Sequence, residues 1–254
     1  MAMRAAVSIG ITGRTDAATI RALASRVERL GFHALWINDV PGGDSLAGLR
    51  IAADVTTTLG LATGVIPLDR RPVDTLDVAG LPADRTTLGI GSGGARHPLG
   101  LVRDGIAALR RVTDAAVVVG ALGPRMRRLA ATEADGVLLN WLTPDAAAEA
   151  AAELRRDAAG RPARSILYVR TIADEAARPA LVAEATRYES VPAYAANFER
   201  SGMRALDATI DRADALPPFD VVDEIVLRAV TPHGSLVELE AFVDAVAGWR
   251  AGSA

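Results

Sequence analysis

Ala115-Ala116-Val117-Val118-Val119-Gly120-Ala121-Leu122-Gly123-Pro124 opens the stretch that decides the fold, and Gly136-Val137-Leu138-Leu139-Asn140 closes it. The run Ala115–Val119 is too short for a helix and apolar at every position, as a strand covered on both faces is. Gly120 and Gly123 end it. Proline at 124 suits a first helical turn, where a missing N–H costs nothing, so Pro124–Thr132 reads as a helix. A second strand, Gly136–Leu139, follows at once. Strand, helix and strand with both strands apolar throughout make a βαβ unit, and such units build parallel sheets.

The same alternation continues in both directions. Apolar runs at Ala5–Ile11, Ala34–Ile37, Leu61–Ile66 and Thr87–Ile90 precede the deciding stretch, and Ser165–Val169 and Glu224–Val230 follow it. Asp16 caps a helix carrying Ile20, Leu23, Ala24, Val27 and Leu30 on one face. Further helices are expected over Leu46–Leu59, Val73–Leu81 behind Arg71-Pro72, Leu99–Val112, Thr143-Pro144 to about Ala158, and Leu236–Trp249. Residues 174–212 read as mostly helical with a break near Pro192, and Pro217-Pro218 as a loop. Eight strand–helix units in 254 residues predict one closed (β/α)8 TIM barrel over residues 1–254, with parallel strands and reduced insertions. An open doubly wound sheet is the alternative.

Composition narrows the chemistry. Half the residues are hydrophobic and only 4% aromatic, so the core is aliphatic and alanine-rich. The net charge is −3 and the cations are scattered, which argues against nucleic acid as a partner. The absence of cysteine excludes disulfides, thiolate metal sites and cysteine nucleophiles. The absence of lysine excludes Schiff-base chemistry and the Walker phosphate loop. His33, His97 and His233 lack the paired spacing of a zinc site. The N-terminal apolar run is too short to span a membrane, and a cytoplasmic protein is expected.

In this fold, function gathers at the C-terminal ends of the strands. Those ends read Gly10-Ile11-Thr12, Asn38-Asp39, Gly64-Val65-Ile66, Gly91-Ser92-Gly93, Gly120-Ala121-Leu122-Gly123, Asn140-Trp141, Arg170-Thr171 and Thr231-Pro232-His233. They are rich in glycine, poor in charge, and without a carboxylate pair or a Ser–His pair. Such a rim suits a large flat ligand approached closely by backbone, and suits hydrolysis poorly. Gly89-Ile90-Gly91-Ser92-Gly93-Gly94 loosely matches a dinucleotide fingerprint but lacks the acidic residue downstream.

Four stretches resemble the luciferase-like flavin and deazaflavin oxidoreductases, a (β/α)8 family. They are Leu30-Gly31-Phe32-His33-Ala34-Leu35-Trp36-Ile37-Asn38-Asp39, Leu61-Ala62-Thr63-Gly64-Val65-Ile66 with Arg71-Pro72, and Leu88-Gly89-Ile90-Gly91-Ser92-Gly93. The fourth and most specific is Val119-Gly120-Ala121-Leu122-Gly123-Pro124-Arg125-Met126, continued by Leu129-Ala130 and Ala134-Asp135-Gly136-Val137-Leu138-Leu139. The match is dense over residues 5–142; beyond, it rests on the order of elements.

The resemblance implies a tricyclic cofactor, coenzyme F420 in preference to FMN, held at the strand ends. It implies a cis bond at Gly64–Val65 in a bulged third strand, with Gly64, Val65 and Ile66 behind the ring and Asp39 near its polar edge, as cofactor ligand and catalytic residue. Ser92 and Gly93 are implied as further cofactor contacts, as is Asn140, a hydrogen-bond donor. Ala121, Leu122, Gly123, Pro124 and Arg125 would receive the phosphate at a helix N-terminus. F420 is favoured because an Ala/Arg-rich, lysine-free composition resembles that of high-GC actinobacterial genomes. The implied activity is a monooxygenase-like or hydride-transferring oxidoreductase acting on a small organic substrate; the competing expectation is a non-catalytic or cofactor-free barrel. A homodimer is an allowed partner state, and no metal is expected. Two departures bear on chemistry. Val40 stands where some deazaflavin-dependent relatives carry histidine, and Gly94 where they carry glutamate. Alcohol oxidation through those groups is therefore not expected.

Overall fold

The computed structural model describes residues 3–252. Ten strands occur among them: β1 (Ala6–Thr12), β2 (Ala34–Asn38), β3 (Gly60–Thr63), β4 (Ile66–Pro67), β5 (Thr86–Gly91), β6 (Ala116–Gly120), β7 (Gly136–Asn140), β8 (Arg164–Thr171), β9 (Thr209–Ile210) and β10 (Glu224–Ala229). The helices are α1 (Ala17–Arg29), α2 (Ser45–Ala53), α3 (Pro98–Leu109), α4 (Pro124–Glu133), α5 (Pro144–Ala158), α6 (Arg178–Glu189), α7 (Pro192–Ser201) and α8 (Leu236–Gly252). All strand pairs are parallel, and β10 pairs with both β1 and β8, which closes the sheet. The staves are β1, β2, β3, β5, β6, β7, β8 and β10; β4 and β9 are short additions at the rim. The chain is a (β/α)8 TIM barrel.

Each stave sorts its side chains by the two-residue period of a strand. Val7, Ile9, Ile11, Leu35, Ile37, Val117, Val119, Val137, Leu139, Ile225 and Leu227 face outward and are buried beneath the helices. Ala34, Trp36, Ala62, Val118, Leu138, Ile166, Tyr168 and Val226 face inward and fill the lumen. Trp36 and Tyr168 meet edge to face at 6.3 Å between ring centroids, and together they block the middle of the barrel. The lumen is thus divided into a lower chamber at the strand starts and an upper floor at the strand ends.

The helix caps follow the sequence closely. Asp16 accepts the Thr19 N–H at 3.0 Å and Thr143 the Ala146 N–H at 3.4 Å, while Gly123 caps α4 without any side-chain bond. Two expected helices are corrected. Val73–Leu81 forms only a single 3-10 turn, Val73–Thr75. There Asp77 accepts the Ala79 N–H at 3.1 Å and Gly80 takes φ +77°, so local side-chain bonds outcompete the helix. The helix expected over Leu46–Leu59 stops at Ala53. Beyond it, Glu28 of α1 accepts the N–H groups of Thr57, Thr58 and Leu59 at 2.7–2.9 Å and pulls the segment into the approach to β3. Among the described residues no helix is long and apolar enough to cross a membrane.

Candidate functional site

The inward period of β2, β7, β8 and β10 carries polar residues to the upper floor: Asn38, Asn140, Tyr168, Arg170 and Arg228. Asn38 is a hub. Its Oδ1 accepts the Tyr168 hydroxyl at 2.9 Å and Arg228 Nε at 3.1 Å, while its amide donates to the Gly64 carbonyl. Burial pushes the Tyr168 phenol well above its ordinary value, so it stays protonated and donates.

Arg170 organises the other half of the floor. Its side chain is 3% exposed and donates from Nε to Glu184 Oε1 at 3.0 Å and from a terminal nitrogen to Asn140 Oδ1. The guanidinium lies 4.3 Å from the Trp141 ring centroid and 4.7 Å from that of Tyr188. Burial opposes its charge, but Tyr188 and Glu184 outweigh that and hold it above its ordinary value. For Glu184 burial acts upward, and Arg170 and Arg228 outweigh it, keeping the carboxyl below its usual range. Asn140 also donates to the Tyr194 hydroxyl at 3.4 Å, which ties β7 to α7.

The peptide bond between Gly64 and Val65 is cis, as the resemblance implies. Gly64 is buried and Val65 half-buried, whereas the Ile66 side chain points into the outer core. The room left by Gly91 and Gly120 is taken by Val65: a Cβ built at either glycine meets its methyls at 2.9 and 3.0 Å. Ser92 is half-buried and Gly93 exposed, with Asp69 lying against it. Asn38, Gly64, Val65, Gly91, Gly120 and Asn140 therefore do converge on the mouth.

Asp39 stands apart from that floor. It is buried, its Oδ2 accepts the Ser45 hydroxyl at 2.8 Å and pairs with Arg71, and the cap of α2 is Asp44. Asp44 also reaches Arg71, at 3.2 Å. Asp39→Ala is accordingly expected to cost about 1.5–3 kcal/mol, the range for a hydrogen bond to a charged group. A melting temperature equal to the parent's would show that the Ser45–Arg71 clasp contributes nothing.

The Gly123 corner is open. A Cβ at Gly123 meets nothing within 4 Å, Pro124 stands at the first helical position, and Arg125 is exposed. Ala121 is buried, and the Leu122 carbonyl accepts from Arg200 of α7 at 3.3 Å. Three buried polar atoms have no hydrogen-bond partner among the described residues: Arg127 Nε, Asn197 Nδ2 and Trp141 Nε1. All three are donors; Arg127 and Asn197 lie near Arg200, and Trp141 belongs to the aromatic cluster of α6 and α7. Arg127 is on α4 and feels the charge of Arg200, Arg200 bonds Asn197 Oδ1, and Phe198 packs edge to face on Trp141. The open N-terminus of α4, with the exposed Arg125 on it and Arg200 on the neighbouring Leu122 carbonyl, fits the phosphate of a flavin-type cofactor. The floor beside it is hydrogen-bonded within itself and would lie under a ring.

Sequence reading placed Arg170 at a strand end without giving it a role, and missed Glu184, Asn197, Arg200 and Arg228. One signal was available: Arg170 and Arg228 continue the inward period Ile166, Tyr168 and Val226. A smaller cavity of about 290 Å³ opens over β1 and β10, bounded by Thr12, Thr15, Glu184, Arg228, Thr231 and His233. There His233 bonds Glu238 at 2.8 Å and, with backbone donors, holds that carboxyl at about 2.

The sequence profile of the luciferase-like monooxygenases matches residues 3–116 and 102–249. No curated protein matches by sequence. Solved structures similar in fold include the coenzyme F420-dependent tetrahydromethanopterin reductase of Methanopyrus kandleri, at 15% identity and TM-score 0.66, covering 96% of this chain and 97% of that one. Another is the oxygenating constituent of the Pseudomonas putida 3,6-diketocamphane monooxygenase in complex with FMN, at 12% identity, TM-score 0.70 and 99% of both chains. A third is an F420-dependent secondary alcohol dehydrogenase with an F420–acetone adduct, at 12% identity and TM-score 0.67, covering 96% and 99%. At such identities the likeness is one of fold.

Proposed function

Because the chain belongs to the luciferase-like monooxygenase family, we propose that it is an oxidoreductase moving a hydride between coenzyme F420, or else FMN, and a small organic substrate. The observation that carries this reading is the open N-terminus of α4, where a Cβ at Gly123 meets nothing within 4 Å and Arg200 reaches the adjacent Leu122 carbonyl. The first-turn amides of Arg125 and Met126 would hold the phosphate, with the exposed Arg125 and Arg200 adding charge. When bound, the cofactor's ring supplies hydride acceptance and donation.

This chain's own residues do the rest. Asn38 and Asn140 present a rigid polar floor, because Tyr168, Arg228 and Arg170 lock their orientations. Val65 gives that floor its apolar face. The Arg170–Trp141–Tyr188 stack shields one side from water. The cavity over β1 and β10 would take the substrate, with Thr12 and Thr231 as hydroxyl donors. Val40 and Gly94 leave the alcohol-oxidising acid and base of some relatives without counterparts, so the substrate class is not a simple alcohol. F420 is preferred on composition, and relatives of this fold include enzymes of both cofactors.

Gly123→Val tests the reading. The site of the new side chain is empty and the backbone φ of −100° is one that valine adopts, so the barrel should fold, with melting lowered only by the poorer cap that valine makes for α4. Binding of F420 and FMN, followed by fluorescence titration, should weaken at least about tenfold, which corresponds to 1.4 kcal/mol. Affinities equal to the parent's for both cofactors would remove the phosphate from this corner. A parent protein that binds neither would leave the cofactor-free barrel as the correct reading.

A further inference from the structure

In the cavity of about 290 Å³ over β1 and β10, every charge is matched except one. Glu184 enters it from α6 already paired with Arg170 at 3.0 Å. His233, in the loop after β10, is paired with Glu238 at 2.8 Å. Arg228 differs. It stands on the inward period of β10, half-buried, and forms no ion pair among the described residues. Its bonds go to neutral acceptors: Nε donates to Asn38 Oδ1 at 3.1 Å, and Nη1 to the Ala229 carbonyl. A guanidinium carries five N–H groups in a fixed fork, so most of this fork, Nη2 included, is uncommitted. A cation held partly out of water without a counter-ion is poorly compensated.

Two hydroxyls add to that cation. Thr12, at the end of β1, accepts the Arg14 N–H at 3.4 Å, and Thr231 accepts the Gly234 N–H at 3.0 Å. Neither donates a hydrogen bond among the described residues, so both hydroxyl hydrogens are free for an acceptor. Thr15 offers none, since its hydroxyl donates to the Thr12 carbonyl at 2.8 Å. The rest of the wall is largely hydrocarbon, from Ile11, Ala180, Val230 and Leu239. Such a lining suits a small molecule with one anionic group and an aliphatic body. A guanidinium fork matches the two oxygens of a carboxylate.

We propose that this cavity recognises a short-chain aliphatic monocarboxylate, held by Arg228 and the Thr12 and Thr231 hydroxyls with its hydrocarbon chain against Ile11 and Leu239. That such a carboxylate is the substrate rests on the cofactor reading above; its binding does not. Arg228 is also bonded to Asn38, so the carboxylate sits directly beside the floor of the mouth, and Arg228 is the residue that sets the substrate class.

The probe is butanoate, titrated into the full chain labelled with nitrogen-15, with and without F420 or FMN. The Gly234 amide reports directly, because its N–H is bonded to Thr231 Oγ1. The expected result is a saturable shift of that signal. Butanamide, of like size but uncharged, should bind more weakly, and 1-aminobutane should leave the signal unmoved. Arg228→Met should weaken butanoate binding about tenfold or more, and Arg228→Lys, which keeps the charge, should weaken it less. If Arg228→Met folds poorly for want of its Asn38 bond, Thr12→Val, which keeps the shape of a strand-end side chain, should still weaken binding about threefold. Ala180→Leu, which narrows the cavity without changing charge, should nearly abolish it. Saturable butanoate binding to a chain that takes up neither F420 nor FMN would support the site and overturn the cofactor reading instead. The proposal is overturned if butanoate gives no saturable shift in the parent, if butanamide or 1-aminobutane binds as tightly, or if binding survives the Thr12 and Ala180 variants undiminished.

Discussion

Arg170→Ala is expected to lose about 3–5 kcal/mol of stability at neutral pH, the cost of stranding one member of a buried ion pair. The pair is Arg170 with Glu184, side chains 3% and 15% exposed, and alanine would leave Glu184 buried with no bonded cation. The loss extends beyond charge. The guanidinium also stacks on Trp141 and Tyr188 and fixes Asn140, so the contacts holding α6 and α7 over the barrel mouth loosen together. The pH dependence has a definite sign. In the parent the Glu184 carboxyl is held below its usual value, so its contribution is present above about 4.5 and fades as pH falls through the depressed value. Without Arg170, burial pushes the same carboxyl upward, and the variant is penalised most where Glu184 must be ionised. The gap between parent and variant should therefore narrow from pH 7.5 to pH 4, as measured by urea unfolding at both. Arg170→Met combined with Glu184→Met should recover most of the loss, since a buried pair replaced by apolar groups of like volume is often nearly neutral. A deficit under about 1 kcal/mol with no pH dependence would mean that the pair contributes little to the fold.

How much of this was legible in the sequence depends on how local the cause is. The staves were legible because a doubly covered strand needs only a few consecutive apolar residues, as in Ala116–Gly120 and Gly136–Asn140. Caps were legible where one side chain meets an amide three residues on, as Asp16 does with Thr19. The end of α2 was not. Asp54-Val55-Thr56 could continue a helix, and what stops it is Glu28, 29 to 31 residues away in the chain. The mouth divides the same way. Glycines at the strand ends marked its position, but their partners did not show: Val65 fills the space at Gly91 and Gly120. Arg170 and Glu184 are joined only once β8 and α6 pack, and nothing near Asn197 signals that it is buried with an orphaned amide. Asp39 was legible as a strand-end acid, while its clasp with Arg71 and Ser45 came from tertiary packing.

Gly89→Ala should be the most damaging single methyl in the barrel. Between β3 and β5 the pairing runs Ala62 with Thr87, then Ile66 with Ile90 across the step to β4, so the first chain carries one residue more than the second. That is a bulge, and it interrupts the ladder. Thr63 repairs the gap with its side chain: Oγ1 accepts the Gly89 N–H at 2.8 Å and donates to the Gly89 carbonyl at 3.0 Å. The approach this requires leaves no space for a side chain at 89. A Cβ there would lie 2.0 Å from the Thr63 carbonyl oxygen, and the obstacle is backbone, which has no rotamer to change. The expected cost is about 3 kcal/mol, at the upper end for overpacking, because relief means moving Thr63 and with it Gly64 and Val65. The same displacement carries the Gly64 carbonyl away from the Asn38 amide, so cofactor affinity should fall along with stability. Gly100→Ala provides the contrast. It lies on the exposed face of α3 with nothing within 4 Å of its Cβ, and alanine there should stabilise by a few tenths to about 1 kcal/mol. Thermal melts of the two variants should thus move in opposite directions. If Gly89→Ala melts with the parent, the bulge is not held by the close approach of these strands, and the floor of the mouth must be positioned from β2 and β7 instead.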